Sequence, residues 1–178
     1  MHIGGLQKMT LLDYPGKVAC TVFLSGCNYR CPFCHNAELL EGKGDHLMTE
    51  EEFLTFLNKR VGLLDGVCIT GGEPTLQPDL ADFIARVRGM GYAVKLDTNG
   101  TRPDRLAALI DAGLLDYVAM DIKNSREKYP LTVGVAGFDP AVIDESIALL
   151  RESGVAHEFR TTVVRELHTV EDIVAIAQ

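Results

Sequence analysis

The stretch VCITGGEPTLQPDLADFIARVRGMGYAVKLDTNG, residues 67–100, decides the fold class. Residues 67–70 are apolar and β-branched and read as a strand that stops at Gly71 and Gly72. Asp79 opens a helix with Leu80, Phe83, Ile84 and Val87 on one face, closed by Gly89 or Gly91. Residues 92–96 form the next strand, which ends in Asp97-Thr98-Asn99-Gly100. Strand, helix and strand in that order form a parallel crossover unit.

The alternation extends in both directions. Upstream, residues 18–24 read as a strand, and Thr49 with Glu52 has capping-box spacing before a stripe of Phe53, Leu54 and Leu57. Downstream, Pro103 opens a helix that stops at Gly113, following the proline-in, glycine-out asymmetry. Residues 115–122 form a fourth strand, Asp139-Pro140 opens a helix closed by Gly154, and residues 157–164 form a fifth strand. Thr169 starts a helix still running at Gln178. Residues 124–138, NSREKYPLTVGVAGF, make a long connection, readable as a lid or partner-binding segment or as loop padding.

Strands alternating with helices predict an α/β fold with a parallel sheet, either open or curled into an incomplete barrel. The expected unit is a single domain over residues 1–178. In such folds ligands gather beyond the carboxyl ends of the strands. Here those ends carry a cysteine-rich loop, Gly71-Gly72-Glu73-Pro74, Asp97-Thr98-Asn99, Asp121-Ile122-Lys123 and Arg160, which points to one active site.

The chain has 178 residues, is 47% apolar and carries a formal net charge of -8. No apolar run approaches the roughly 20 residues of a membrane-spanning helix, and the N-terminus shows no secretory signal. A cytoplasmic protein is expected, with neither a membrane nor a nucleic acid as partner, since no basic stripe is present. The five cysteines are odd in number and do not suggest a disulfide framework. Cys20 and Cys68 lie in apolar runs and read as inert strand thiols.

The other three, Cys27, Cys31 and Cys34, follow the pattern C-x3-C-x2-C within SGCNYRCPFCHN. A structural zinc site takes four ligands, and neither a second cysteine pair nor a distant histidine pair is present. His35 is a candidate fourth ligand, but its adjacency to Cys34 strains a shared tetrahedral site. A [4Fe–4S] cluster takes one thiolate per iron, so three cysteines leave one iron open to bind something else. His2, His46, His157 and His168 show no ligand spacing. Arg30 lies inside the loop, either as a cation that raises the potential of a nearby cluster or as a surface residue.

CNYRCPFC resembles the signature of the radical S-adenosylmethionine enzymes, with Phe33 before the last cysteine. CHN and the segment LLDYPGKVACTVFLSGCNYRCPFCHNAELL resemble the glycyl-radical-enzyme activases, in particular those of anaerobic ribonucleoside-triphosphate reductase. The resemblance implies a partial (β/α)6-type barrel, in which case a sixth parallel strand lies beyond Gln178 and the chain is C-terminally incomplete. It implies a [4Fe–4S] cluster on Cys27, Cys31 and Cys34, whose open iron is chelated by S-adenosylmethionine. Reductive cleavage there yields methionine and a 5′-deoxyadenosyl radical. Phe33, His35, Gly71, Gly72, Glu73, Asp97, Thr98, Asp121, Lys123 and Arg160 are the implied cofactor contacts, Glu73 toward the amino group of S-adenosylmethionine. A monovalent cation is a further implied ligand. The implied partners are a glycyl-radical enzyme and a flavodoxin- or ferredoxin-type electron donor. Radical chemistry on a small molecule, and an iron–sulfur electron-transfer module without its own chemistry, are the alternatives.

Overall fold

The computed structural model describes residues 1–41 and 48–178; His46 lies outside the described residues. Among the described residues six strands form one sheet in chain order. They are β1 (Ile3–Thr10), β2 (Ala19–Leu24), β3 (Gly66–Gly71), β4 (Ala93–Thr98), β5 (Tyr117–Asp121) and β6 (Ala156–Arg160). Strands β2 to β6 are parallel neighbours, and β1 pairs antiparallel with β2. The sequential order has no switch point, unlike a doubly wound sheet. The fold is therefore α/β with a mostly parallel sheet, of the partial-barrel kind.

The parallel strands match the five expected with shifted bounds: 67–70 extends to Gly66–Gly71 and 92–96 moves to Ala93–Thr98, while 115–122 contracts to Tyr117–Asp121 and 157–164 to Ala156–Arg160. Strand β1 is an addition the sequence reading missed. Its segment IGGLQKMT carries two glycines and buries only Ile3 and Thr10, so it has neither β-branched richness nor clean alternation. Its partner supplies the ladder that its own side chains do not advertise.

Among the described residues, helices α1 (Glu50–Asn58), α2 (Leu80–Gly89), α3 (Pro103–Asp111), α5 (Ala141–Ser153) and α6 (Val170–Ala177) cross between or follow the parallel strands. A short helix, α4 (Tyr129–Val133), lies inside the long connection that the sequence left without structure. The capping box of α1 forms as its spacing predicts: the Thr49 amide donates to Glu52 Oε2 at 2.8 Å, and the Glu52 amide donates to Thr49 Oγ1 at 3.2 Å. Thr169 and Asp172 make a second capping box on α6. Asp79 stands at the N-cap of α2 without capping it; its carboxylate binds the Met1 ammonium at 2.8 Å.

The alternation of strand side chains separates two faces. Cys20, Val22, Leu24, Val67, Ile69, Val94, Leu96, Val118 and Met120 face the helices and are fully buried with Phe53, Phe83, Ile84 and Leu150. Each such side chain contributes about 1.5–3 kcal/mol of burial. The opposite face carries Thr21, Cys68, Lys95, Asp97, Asp121 and Arg160. That polar inner face leads directly to the carboxyl ends of the strands. No helix of the described residues is long and apolar enough to cross a membrane.

Candidate active site

A single cleft at the carboxyl ends of β3 to β6 is lined by Cys27, Cys31, Cys34, Phe33, His35, Gly71, Gly72, Asp97, Thr98, Asp121, Lys123 and Arg160. The fold thus gathers every implied cofactor contact except Glu73 into one wall. It adds Tyr29, Thr70 and Thr162, which the sequence reading did not single out, and Asn36 and Asn99, which it named only as members of motifs.

The cysteine loop leaves β2 and is held against the end of β3 by backbone hydrogen bonds. The Gly72 amide donates to Leu24 O and the Glu73 amide to Gly26 O, each at 2.8 Å. A Cβ at Gly72 would stand 2.1 Å from Gly26 O, and one at Gly71, which adopts φ +117, would stand 2.4 Å from Leu24 N and O. These glycines are required by close approach of another segment, the cysteine loop itself. Asn36 adds a side-chain tie, donating from Nδ2 to Gly71 O at 3.1 Å.

Glu73 lies behind the cleft. It is 1% exposed and accepts from the Thr75 amide at 3.0 Å, Thr75 Oγ1 at 2.5 Å, Thr98 Oγ1 at 2.8 Å and the Asn99 amide at 2.6 Å. Burial pushes its carboxyl up from the ordinary glutamate range, while the bonds from Thr75, Asn99 and Thr98 oppose that shift. Its carboxylate pins the turn after β4 to the turn after β3.

That turn places Asn99 against the cysteines. Asn99 Nδ2 lies 4.0 Å from Cys27 Sγ and donates to Asn28 Oδ1 at 2.9 Å, while the Tyr29 amide donates to the same sulfur at 3.4 Å. Asn-Gly after a strand reads as a turn, which concealed this second role. Arg30 is exposed, and its Nη1 donates to the carbonyls of Cys27 and Tyr29, both at 2.7 Å. The guanidinium folds back onto the loop it belongs to.

Across the cleft runs a ladder of charges. Lys95 Nζ meets Asp97 Oδ1 at 2.5 Å, and Arg160 Nη1 meets Asp97 Oδ2 at 3.2 Å. Arg160 Nε meets Asp121 Oδ1 at 3.1 Å, and Lys123 Nζ meets Asp121 Oδ2 at 2.9 Å. Burial works against the charge on Arg160, but Asp97 and Asp121 outweigh it and hold the guanidinium charged. The ladder presents cations to the cleft whose own countercharges are already in place.

Burial raises the thiols of Cys27 and Cys31, the latter to about 11. Lys123 opposes the shift in both. Among the described residues no three His, Cys, Asp or Glu side chains converge tightly enough to hold a single metal ion. Cys27, Cys31 and Cys34 line one cleft, and three thiolates suit a cluster, in which each binds a different iron. The donor set therefore fits a [4Fe–4S] group better than zinc.

The chain belongs to the radical SAM superfamily, whose family model matches residues 21–178. It is 39% identical to the Methanocaldococcus jannaschii protein named "Putative glycyl-radical enzyme activating enzyme MJ1227", over 99% of this chain and 74% of that one. It is 32% identical to the pyruvate formate-lyase-activating enzyme of Clostridium pasteurianum over 78% of this chain, and 34% identical to a "Probable GTP 3',8-cyclase" of Pyrococcus abyssi over 68%. The chain spans 60% and 38% of the lengths of these two. Among solved structures, anSMEcpe with bound AdoMet shares the fold, with a TM-score of 0.60 and 21% identity over 76% of this chain and 40% of that one. Membership in the superfamily implies a [4Fe–4S] cluster and S-adenosylmethionine as cofactors.

Proposed function

We propose that this chain is a glycyl-radical-enzyme activating enzyme. It cleaves S-adenosylmethionine reductively and takes a hydrogen atom from a glycine of a partner, most specifically an anaerobic ribonucleoside-triphosphate reductase. The observation that carries the reading is the meeting of Cys27, Cys31 and Cys34 with the ends of β3 to β6 in one cleft. Likeness to a protein named as a glycyl-radical enzyme activating enzyme over almost the whole chain supports it.

Cys27, Cys31 and Cys34 would hold the cluster. When bound, the cluster supplies an electron at an iron that no thiolate occupies. The chain's own residues then bind and orient. Lys123 and Arg160 offer cations to the carboxylate of S-adenosylmethionine, and Asp97 and Asp121 keep those cations fixed. Gly71 and Gly72 bring strand-end backbone to the cleft wall, where a carbonyl can accept from the amino group. Phe33 and His35 line the same wall. Glu73 acts from behind, by holding Thr98 and Asn99 in place. A monovalent cation at these strand ends would have to compete with Lys95, Lys123 and Arg160 for the carboxylates of Asp97 and Asp121. A flavodoxin- or ferredoxin-type protein would deliver the electron.

The test is anaerobic reconstitution with iron and sulfide, reduction, and assay for methionine and 5′-deoxyadenosine with and without the reductase. Both products, together with a glycyl-radical electron paramagnetic resonance (EPR) signal on the reductase, are expected. The likeness to a named GTP 3',8-cyclase favours a second reading, radical chemistry on a small molecule. Product formation with no radical on any glycyl-radical partner, and deuterium transfer from a small substrate, would support that reading and overturn the first.

A further inference from the structure

The 124–138 connection is not padding. At one end it grips the cysteine loop. The Arg30 amide donates to Val133 O at 2.8 Å, and Gly134 sits so close that a Cβ there would lie 2.4 Å from Arg30 O. Gly134 also ends α4 in the left-handed region, at φ +67. Tyr29, between Cys27 and Cys31, is 2% exposed and drives its ring against Phe138, edge to face, with centroids 5.4 Å apart. Phe138 stacks in turn on Tyr129, at 5.5 Å.

At its other end the same connection holds Lys123. The Lys123 amide donates to the Tyr129 hydroxyl at 3.2 Å, and Asn124 Nδ2 donates to Thr132 Oγ1 at 2.8 Å. The Lys123 carbonyl meets His168 Nε2 at 2.8 Å. One compact unit therefore touches the backbone of the cysteine loop and the backbone of a cleft lysine. The Tyr29 hydroxyl is the one buried side-chain polar atom among the described residues with no hydrogen-bond partner, and the Tyr129 phenol is its neighbour. Burying a hydroxyl without a well-aligned partner costs about 1–3 kcal/mol, which the packing of the Tyr29 ring against Phe138 offsets.

We propose that residues 124–138 are a positioning clamp that sets the placement of the three-cysteine loop relative to Lys123, with Tyr29, Tyr129, Gly134 and Phe138 as its positioning residues. The cluster arm of the proposal rests on the reading of the site given above; the clamp itself does not need the cluster. Second-sphere supports of this kind typically change metal affinity by about tenfold or more when removed.

Two glycines in the clamp make a matched pair. Gly134 and Gly137 both adopt positive φ, +67 and +72, but a Cβ at Gly137 meets nothing within 4 Å. Gly134→Ala strains the backbone and pushes on the cysteine loop; Gly137→Ala only strains the backbone. Amide hydrogen exchange on metal-free protein reads the clamp directly. The Arg30 amide is expected to exchange about tenfold faster in Gly134→Ala than in the wild type, and unchanged in Gly137→Ala.

After reconstitution, Gly134→Ala should bind about tenfold less tightly to iron and sulfide, and its reduced cluster should show an altered EPR response to S-adenosylmethionine. Tyr129→Phe, nearly isosteric, removes the acceptor of the Lys123 amide. It should weaken S-adenosylmethionine binding several-fold with iron content unchanged, and it decides the matter if Gly134→Ala fails to fold. Equal exchange in both glycine variants, or wild-type S-adenosylmethionine affinity in Tyr129→Phe, overturns the clamp. If the exchange difference is seen but the wild type takes up no cluster, the cofactor reading is overturned and the clamp stands.

Discussion

Arg160 on β6 reaches Asp97 on β4 at 3.2 Å, across the intervening β5, while holding Asp121 of that middle strand at 3.1 Å. One side chain thereby ties three neighbouring strand ends together on the polar face of the sheet. Without the guanidinium, two carboxylates would face each other. Arg160→Gln is therefore expected to weaken S-adenosylmethionine binding by about tenfold. It should lower stability by only about 1–2 kcal/mol, because the guanidinium is 36% exposed and screened. Equilibrium dialysis and urea unfolding read the two effects, and an unchanged affinity would remove Arg160 from the binding site.

Glu73 gives a pH prediction with a definite sign. Burial raises its folded pKa above the ordinary value, so between the two values the folded chain binds more protons than the unfolded one. Wild-type stability should fall as pH rises from about 4.5 through the folded pKa, by up to about 1.4 kcal/mol per unit of separation. Glu73→Gln lacks this titration and mismatches one of the donors, at a cost of about 1–3 kcal/mol. The penalty relative to wild type should therefore be larger at pH 5 than at pH 8 in paired urea melts. A penalty that grows with pH would show that the four donors overcompensate burial.

Gly72→Ala has nowhere to put its methyl, since Gly26 O stands 2.1 Å away. The turn after β3 and the cysteine loop must part, at a cost of about 1–3 kcal/mol. Iron uptake during reconstitution should drop with stability, whereas Gly89→Ala, at a helical position open to space, should leave iron uptake unchanged and raise stability by about 0.4–1 kcal/mol. Retention of full iron uptake in Gly72→Ala would mean the loop adapts.

The parallel strands and their helices were legible because each carries its signal locally: an apolar run, a cap, a terminal glycine. The three cysteines were legible for the same reason. What stayed hidden depends on partners distant in the chain. β1 becomes a strand through β2 and not through its own residues. Glu73 looked like a cleft carboxylate until Thr98 and Asn99, on the next strand's turn, were seen to occupy it. The structure in 124–138 is a five-residue helix, too short to leave a periodic pattern.

Cys20 and Cys68 provide a control for the three loop cysteines. Both are fully buried, and burial lifts the Cys20 thiol to about 12 and pushes that of Cys68 up as well. Both sit inside strands and neither lines the cleft that gathers the three loop cysteines, so neither can reach a group bound there. Cys20→Ala and Cys68→Ala should reconstitute with wild-type iron content and lose only about 1–2 kcal/mol of stability. Cys27→Ala, Cys31→Ala and Cys34→Ala should each lose the cluster's visible absorption. Iron loss in either core variant with a normal unfolding curve would contradict the assignment.

The supports of the cysteine loop are spread along the chain in a way that dictates an order of biogenesis. Asn99, which leans on Cys27, lies 72 residues after it, and Val133, which receives the Arg30 amide, follows about a hundred residues on. A ribosome has therefore released the cysteines long before it has made the parts that shape their loop. Iron delivered during translation would meet three loose thiols with no cleft around them. Productive loading belongs after synthesis, once the last of those distant contacts has closed.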